Sequence, residues 1–206
     1  LLCATKFVAF HRRPPELMGE QEVRQYLLHL VEDRHIGPAG HKMHVASIKF
    51  LYGVTLDRPE VAVRLPWPQV PITLPDILDA SEVERLFDAI DSIKHRAIVM
   101  AAYGGGLRIS EACTLCTTDI DSRRGVIHVR DGKRGRDRFV MLSPRLLAFL
   151  REYWRAVRPT GPELFPGSRA GSVVAPRTVR VAVRAAVVKA GITKRVTPHV
   201  LRHCFA

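Results

Sequence analysis

The sequence predicts a mainly helical protein with one small antiparallel β-sheet, divided into a helical N-terminal module and an α+β C-terminal domain. Most segments carry apolar residues at the 3.6-residue spacing of an amphipathic helix. A single stretch near residue 130 has the alternating β-branched pattern of a hairpin, and a proline-rich stretch separates the two halves. The chain has 206 residues, which is long enough for two small domains.

The N-terminal module covers residues 1–65, and every element expected in it is a helix. Residues 20–34 and 41–56 carry apolar side chains at helical spacing, as in Val23, Leu27 and Leu30. Such helices bury their apolar stripes against one another. Because the chain begins without Met, we expect the module to lack its first residues.

A proline-rich linker follows at residues 66–75. It contains four prolines in ten residues, which remove backbone donors and hold the chain extended. We therefore expect a second domain to occupy residues 76–206.

The C-terminal domain is expected to begin with two helices. Ser81 and Glu84 have the spacing of a capping box, which predicts a helix with Ser81 as its N-cap. An apolar helix at 97–103 then ends at three successive glycines, residues 104–106, because glycine readily adopts positive φ. The chain must turn tightly there towards Arg108.

The predicted β-sheet is a hairpin. Residues 126–130 and 138–142 are rich in β-branched and apolar side chains and flank a polar, basic turn. Ser143 and Pro144 then provide an N-cap and a first-turn proline for a helix that ends near Val157.

Two amphipathic helices complete the pattern. In the helix that starts after Ser143, the side chains expected to face the core are Leu146, Leu147, Leu150 and Trp154. The next helix covers residues 177–190 and ends at Gly191. Its outward face carries three arginines, Arg177, Arg180 and Arg184, which would suit contacts with phosphates.

The charge is concentrated in the second half of the chain. The net charge is +12, and residues 123–206 contain 19 Lys and Arg against 4 Asp and Glu, a balance of +15. Arginine stays charged at any working pH and donates paired hydrogen bonds to phosphate oxygens. This distribution predicts a polyanionic partner, with double-stranded DNA the leading candidate and an RNA-binding module ranked last.

The sequence also indicates the cellular compartment of the protein. The longest uncharged stretches, 65–75 and 97–107, hold 11 residues each, far short of the roughly 18 to 20 needed to cross a bilayer. The N-terminus lacks the pattern of a signal peptide, and four scattered cysteines are typical of a reducing compartment. We therefore predict a cytoplasmic protein without a membrane partner.

Two segments have the composition of a phosphate-binding site. Thr197 and Pro198 are good residues for the start of a helix, which would place His199 and Arg202 three apart on one face. Arg108 follows the glycine turn among apolar neighbours, where an arginine needs a carboxylate or phosphate partner. Glu111 could orient Arg108 from the next helical turn, or could simply be exposed.

These residues give the sequence a resemblance to the tyrosine recombinase, or phage integrase, family. The markers are Gly-Leu-Arg-Ile-Ser-Glu-Ala at residues 106–112, the Gly132-Lys133 turn of the hairpin, and His199-Val-Leu-Arg202-His203. The resemblance implies an N-terminal helical core-binding (SAM-like) domain and an α+β catalytic domain with the DNA breaking-rejoining fold, which together clamp DNA.

The resemblance also assigns catalytic roles. Arg108 and Arg202 match the two arginines that hold the scissile phosphate, Lys133 the hairpin lysine that protonates the leaving 5′-oxygen, and His199 the histidine that assists. In the family a tyrosine attacks the phosphate and forms a 3′-phosphotyrosyl intermediate, without metal or other cofactor. Paired guanidiniums suit the charge that builds on the phosphorus.

Further basic residues are predicted to contact DNA outside the catalytic set. They are Lys42, Lys49, Arg134, Arg136, Arg177, Arg180 and Arg184. Three arginines of the hairpin compete with Lys133 for the lysine's role, because a short basic turn is easily realigned, namely Arg134, Arg136 and Arg138.

The nucleophilic tyrosine of the family should lie well beyond Arg202. All four tyrosines of the chain precede His199, so we expect this chain to be truncated before the nucleophile and inactive by itself. The parent would be a site-specific DNA recombinase that assembles as a homo-tetramer on paired DNA sites. The alternative is a non-catalytic, DNA-binding remnant of a mobile-element integrase.

Overall fold

The structure is a computed structural model, and it describes residues 2–71, 76–130, 136–169, 171–197 and 200–201. The chain divides into two compact units, Leu1–Leu74 and Pro75–Ala206. Each unit has its own hydrophobic core.

All secondary-structure elements described in the first unit are helices. Its α-helices are α1 (Leu2–His11), α2 (Glu20–Glu32), α3 (Pro38–Phe50) and α4 (Pro59–Val63), with a 3₁₀ turn at Pro15–Leu17 and a π-helical turn at Leu51–Thr55. Phe7 lies at the centre of the core, where its ring meets Tyr26 and Tyr52 edge to face at 5.4 and 6.2 Å between centroids. This geometry suits the quadrupoles of aromatic rings.

The second unit combines helices with a three-stranded sheet. Its elements are α5 (Ala80–Ala89), α6 (Ile93–Gly104), α7 (Ile109–Cys113), a 3₁₀ turn (Thr117–Asp119), β1 (Ile120–Asp121), β2 (Val126–Val129), β3 (Arg138–Met141), α8 (Pro144–Val157) and α9 (Pro176–Lys189). The sheet is antiparallel in the order β1-β2-β3, with Val129 opposite Arg138. The predicted fold class, mainly α with one small antiparallel sheet, is confirmed.

Helix α6 is the central helix of the second core. Residues 97–102 are all buried, and the helix packs against α7, α8 and α9. A helix that is apolar on all sides belongs inside a domain. This packing fixes the C-terminal end of α6 and therefore positions the residues that follow it.

The predicted start of α5 is wrong by two residues. The N-cap is Asp79, whose carboxylate accepts a hydrogen bond from the Glu82 amide at 2.9 Å, while the Glu82 carboxylate accepts from the Asp79 amide at 2.9 Å. Ser81 instead donates to Asp79. Two capping-box patterns overlap here, and Lys194, 2.7 Å from Glu82, favours the first of them.

One predicted core side chain of α8 is also wrong. Trp154 is 38% exposed, whereas Tyr153 is fully buried. Both positions fit the spacing from Leu146 and Leu150, but the Tyr153 hydroxyl has a partner, because it donates a hydrogen bond to the Leu164 carbonyl at 2.9 Å. A buried hydroxyl needs such a partner.

No helix within the described ranges is long and apolar enough to cross a membrane.

Candidate active site

A turn of two glycines, Gly105 and Gly106, connects the end of α6 to the segment that carries Arg108. Gly105 follows the helix, and a Cβ there would lie 3.1 Å from the Ala101 carbonyl oxygen. Gly106 has a φ of +57°, which an L side chain rarely adopts. The Leu107 side chain is then fully buried and its amide donates to the Ala102 carbonyl, so the next residue points away from the core at a defined place.

Replacing Gly106 by Ala tests how tightly this turn holds Arg108. We expect Gly106→Ala to lower the free energy of unfolding by about 1 to 2 kcal/mol, because its φ of +57° is left-handed. Urea unfolding followed by circular dichroism measures the loss. The matched control is Gly104→Ala, since a Cβ there would make an ordinary 3.5 Å contact with Leu146. Equal losses in the two variants would contradict a strained turn.

Arg108 is held by Glu111, so the orienting alternative for Glu111 is the correct one. The Arg108 amide donates to Glu111 Oε2 at 2.8 Å, and Arg108 Nη1 donates to Oε1 at 2.8 Å. The side chain of Arg108 is 36% exposed. Among the described residues, its Nε and Nη2 make no hydrogen bond, so one edge of the guanidinium is held while the other can bind an anion.

A second arginine shares the same carboxylate. Arg138, the first residue of β3, donates from Nη2 to Glu111 Oε2 at 2.7 Å and from Nη1 to Oε1 at 3.2 Å. Arg138 is therefore engaged with Glu111, and the structure gives no support to its candidacy for the role of Lys133. The three residues together carry a net charge of +1 around a carboxylate that is only 9% exposed.

These contacts determine the protonation state of Glu111. Burial by itself raises the pKa of this carboxyl, but hydrogen bonds from Arg138 and from the Arg108 amide and side chain outweigh it and lower the pKa to about 2. The carboxylate is thus ionised whenever the protein is folded near neutral pH.

This pKa predicts a defined loss of stability in acid. The folded pKa lies below the ordinary value of 4.5, so the stabilisation is complete above that value and decreases as the pH falls from about 4.5 to about 2. We expect the free energy of unfolding of the wild type to exceed that of Glu111→Gln at neutral pH and this difference to shrink below about pH 4.5. The comparison cancels the other carboxyl groups, which both proteins share. A difference that stays constant down to about pH 3 would contradict the ion pairs.

Helix α9 presents its three arginines to solvent beside α7. Arg177, Arg180 and Arg184 are exposed, while Val179 and Val183 are buried on the opposite face. Burial raises the pKa of the Cys113 thiol in α7 to about 11, and the nearby positive charge of Arg180 opposes that rise. The arginine face thus borders the helix that carries Glu111. No carboxylate in the described part of the chain pairs with these three arginines.

Three catalytic candidates and one DNA-binding candidate lie outside the described residues. They are Lys133, His199, Arg202 and Arg134. The start of the segment before His199 is described: Thr197 Oγ1 accepts a hydrogen bond from the Val200 amide at 3.3 Å. Thr197 therefore has the N-cap contact that its sequence predicts.

The other basic residues predicted to contact DNA differ in their exposure and contacts. Arg136 and Lys42 are exposed. Lys49 is half-buried, and its Nζ lies 5.1 Å from the centre of the Trp67 ring in a cation–π contact. Among the described residues, no cluster of three His, Cys, Asp or Glu has the geometry of a metal site.

Three of the four tyrosines are buried with hydrogen-bonded hydroxyls. Tyr26, Tyr52 and Tyr153 are buried, and their hydroxyls bond His44, the Pro15 carbonyl and the Leu164 carbonyl respectively. Burial raises the pKa of each of these three to about 12. Tyr103 is half-buried and packs edge to face on Phe87.

The contact between Arg138 and Glu111 was missed from the sequence. A signal for it exists, because side chains alternate between the two faces of a strand. Arg138 shares its face of β3 with Val140, which packs against the core. An arginine on the inward face of a strand needs a carboxylate.

Known proteins share both units. The model described as "Phage integrase family" matches residues 76–206, and that described as "Phage integrase, N-terminal SAM-like domain" matches residues 2–60. The chain is 31% identical to an integrase/recombinase of Escherichia coli over an alignment of 247 residues that covers 97% of this chain and 72% of the relative. It is 42% identical over 151 residues to the tyrosine recombinase XerA of Pyrococcus furiosus, covering 71% of this chain and 52% of the relative.

The fold is shared with solved structures as well. A lambda integrase tetramer bound to a Holliday junction superimposes with a TM-score of 0.77 at 16% identity, covering 98% of this chain and 61% of that one. This chain spans 65%, 75% and 52% of the length of three curated relatives that it matches. With a family model covering the whole second unit and relatives at 31% and 42% identity, the chain belongs to the phage integrase family of tyrosine recombinases.

Proposed function

We propose that this chain is the DNA-binding and phosphate-activating part of a site-specific DNA recombinase. The proposal rests on the guanidinium of Arg108. Its Nη1 donates to Glu111 at 2.8 Å, while its Nε and Nη2 make no hydrogen bond among the described residues. A guanidinium in this state is ready to bind the non-bridging oxygens of a phosphodiester. Arg108 would act together with Lys133, His199 and Arg202, which keep the roles that the sequence assigns to them.

The reaction requires no energy source besides the phosphodiester. A tyrosine hydroxyl attacks the phosphorus, the 5′-oxygen leaves with a proton, and a 3′-phosphotyrosyl bond forms. A 5′-hydroxyl of a partner duplex reverses the step. Because the phosphoryl bond is conserved in the covalent intermediate, strands are rejoined without ATP.

We place the nucleophile outside these 206 residues. Of the tyrosines present, Tyr26, Tyr52 and Tyr153 are buried with hydrogen-bonded hydroxyls, and a pKa of about 12 opposes their ionisation. These observations also favour a second candidate for the chain as it stands, a DNA-binding protein that occupies sites without cleaving them.

Double-stranded DNA is the proposed partner. The exposed arginines of α9 support this choice, as does the balance of +15 in residues 123–206. The tetrameric assembly of lambda integrase on a Holliday junction supports a homo-oligomer on paired sites for the full-length protein. With DNA as its substrate, the cytoplasm remains the proposed compartment.

A covalent adduct decides between the two functions. The product of the reading frame extended past Ala206 is incubated with nicked suicide duplexes that carry candidate sites, and the adduct is resolved by denaturing gel electrophoresis. The recombinase predicts an adduct that disappears when a tyrosine encoded downstream is changed to Phe and persists in the matched control Tyr103→Phe. Tight DNA binding without an adduct would favour the non-catalytic protein.

A further inference from the structure

The guanidinium of Arg138 forms a bidentate ion pair with Glu111. Both of its terminal nitrogens bond the carboxylate, at 3.2 Å to Oε1 and 2.7 Å to Oε2. The residue lies 27 positions from Glu111 along the chain and reaches it from β3, whereas Glu111 belongs to α7. Two of the five N–H donors of the guanidinium are thus used on one carboxylate, and the bidentate contact sets the orientation of the side chain.

Glu111 in turn bonds Arg108 and Arg138 with the same two atoms. Oε1 accepts from Nη1 of both arginines, and Oε2 accepts from the Arg108 amide and from Arg138 Nη2. A carboxylate offers about four lone-pair positions, and these four donors fill them. Its plane is therefore fixed, and so is the edge of the Arg108 guanidinium that it holds.

Removing Arg138 would undo half of this arrangement. The Glu111 carboxylate would keep its i,i+3 contact with Arg108 but lose both bonds that fix it to the sheet. A largely buried carboxylate with unsatisfied lone pairs rearranges to recover hydrogen bonds. Arg108 would then move with it.

We propose that Arg138 is a positioning residue for phosphate binding by Arg108, acting through Glu111, an inference that rests on the proposed function. Arg138 orients the arginine that binds the DNA phosphate, and its contribution is geometric as well as electrostatic.

The choice between arginine and lysine follows from the same geometry. A planar guanidinium matches both oxygens of a carboxylate, whereas an ammonium is a point charge with flexible reach. Arg138→Lys should keep the charge near Glu111 and lose its orientation. Arg138→Gln should lose both.

The kinetic test uses the extended-frame protein and a suicide duplex that the wild type cleaves. We expect Arg138→Gln to slow adduct formation about 10- to 100-fold, because a misplaced binding group costs rates of that order, and Arg138→Lys to recover only part of this loss. Arg123→Gln, at an exposed position between β1 and β2, makes the same change in charge; it is the matched control and should leave the rate unchanged.

A double variant separates positioning from an independent contribution. If Arg138 acts through Arg108, the variant with both Arg108→Gln and Arg138→Gln should be no slower than Arg108→Gln alone. Multiplied losses in the double variant would overturn the proposal, because independent sites have additive free energies.

A structural measurement makes the outcome independent of catalysis. Nitrogen-15 NMR of arginine side chains in the 206-residue chain reports the rotation rate of the Arg108 guanidinium. We expect faster rotation in Arg138→Gln, an intermediate rate in Arg138→Lys and no change in Arg123→Gln, with the amide spectrum of α6 verifying the fold. Unchanged rotation in a folded Arg138→Gln or Arg138→Lys protein would overturn the proposal. Absence of any wild-type adduct would contradict the proposed function instead, and the rotation rates would still decide whether Arg138 orders Arg108.

Discussion

Replacing Arg108 by Gln should slow covalent adduct formation by about 10²- to 10³-fold, the typical loss when one preorganised donor to a developing oxyanion is removed. The glutamine stays polar, but it is shorter and lacks the positive charge and the second edge of the guanidinium. In the wild type the Arg108 side chain is 36% exposed and its Nη1 is held 2.8 Å from Glu111. The extended-frame protein and a suicide duplex provide the measurement under single-turnover conditions.

Two controls make this result specific. Arg123→Gln removes a charge from an exposed position in the same unit and should leave the rate unchanged. A duplex with a methylphosphonate at the scissile position removes the phosphate charge that Arg108 would neutralise, so the deficit of Arg108→Gln should shrink on it. A loss smaller than about 3-fold on ordinary DNA, against the 10²- to 10³-fold expected, would remove Arg108 from the catalytic set.

Neutralising the arginine face of α9 should have the second large effect. The triple variant with Arg177, Arg180 and Arg184 changed to Gln should lower the slope of log affinity against log salt by about 2.7, since each phosphate contact contributes about 0.9. At about 0.1 M salt this corresponds to about 10²- to 10³-fold weaker binding. Fluorescence anisotropy of the 206-residue chain with a labelled random duplex at several salt concentrations gives both numbers.

A charge-matched triple variant distinguishes a binding face from bulk charge. Arg85, Arg151 and Arg155 are exposed on α5 and α8, and their change to Gln removes the same three charges. We expect a much smaller change in slope. Equal effects of the two triple variants would mean that net charge, rather than the α9 face, governs binding.

Local chemistry explains which parts of the fold were predictable. The glycine turn before Arg108 follows from three consecutive glycines, and the start of α8 follows from Ser143 and Pro144. In both cases a few adjacent residues determine the backbone. The start of α5 did not follow in the same way, because Asp79 and Ser81 both fit the sequence pattern of a capping box. The structure forms the box at Asp79, where Ser81 donates to the cap and Lys194, distant in sequence, contacts Glu82.

Elements that depend on tertiary contacts were harder to predict. Strand β1 has two residues and exists through its pairing with β2. The burial of Tyr153 in place of Trp154 depends on a carbonyl at Leu164. A single turn of helix allows either ring to face inward, so periodicity could not choose between them.

The same distinction between local and tertiary contacts applies to the candidate site. Arg108 and Glu111 lie within one helical turn, so their contact was one of two readings of the sequence. Arg138 meets Glu111 from another element, and no local pattern specifies which carboxylate an inward-facing arginine will find. The ion pair between Arg138 and Glu111 can therefore be identified only from the three-dimensional structure.

The low pKa of Glu111 also limits how protons can move in the proposed strand-cleavage reaction. At a pKa of about 2, only about one carboxyl in 10⁵ carries a proton at neutral pH. Glu111 is therefore excluded as the general acid, although it is the carboxylate in direct contact with Arg108. The proton that the departing oxygen acquires in that reaction has to come from another group, and Lys133 is the residue proposed to supply it.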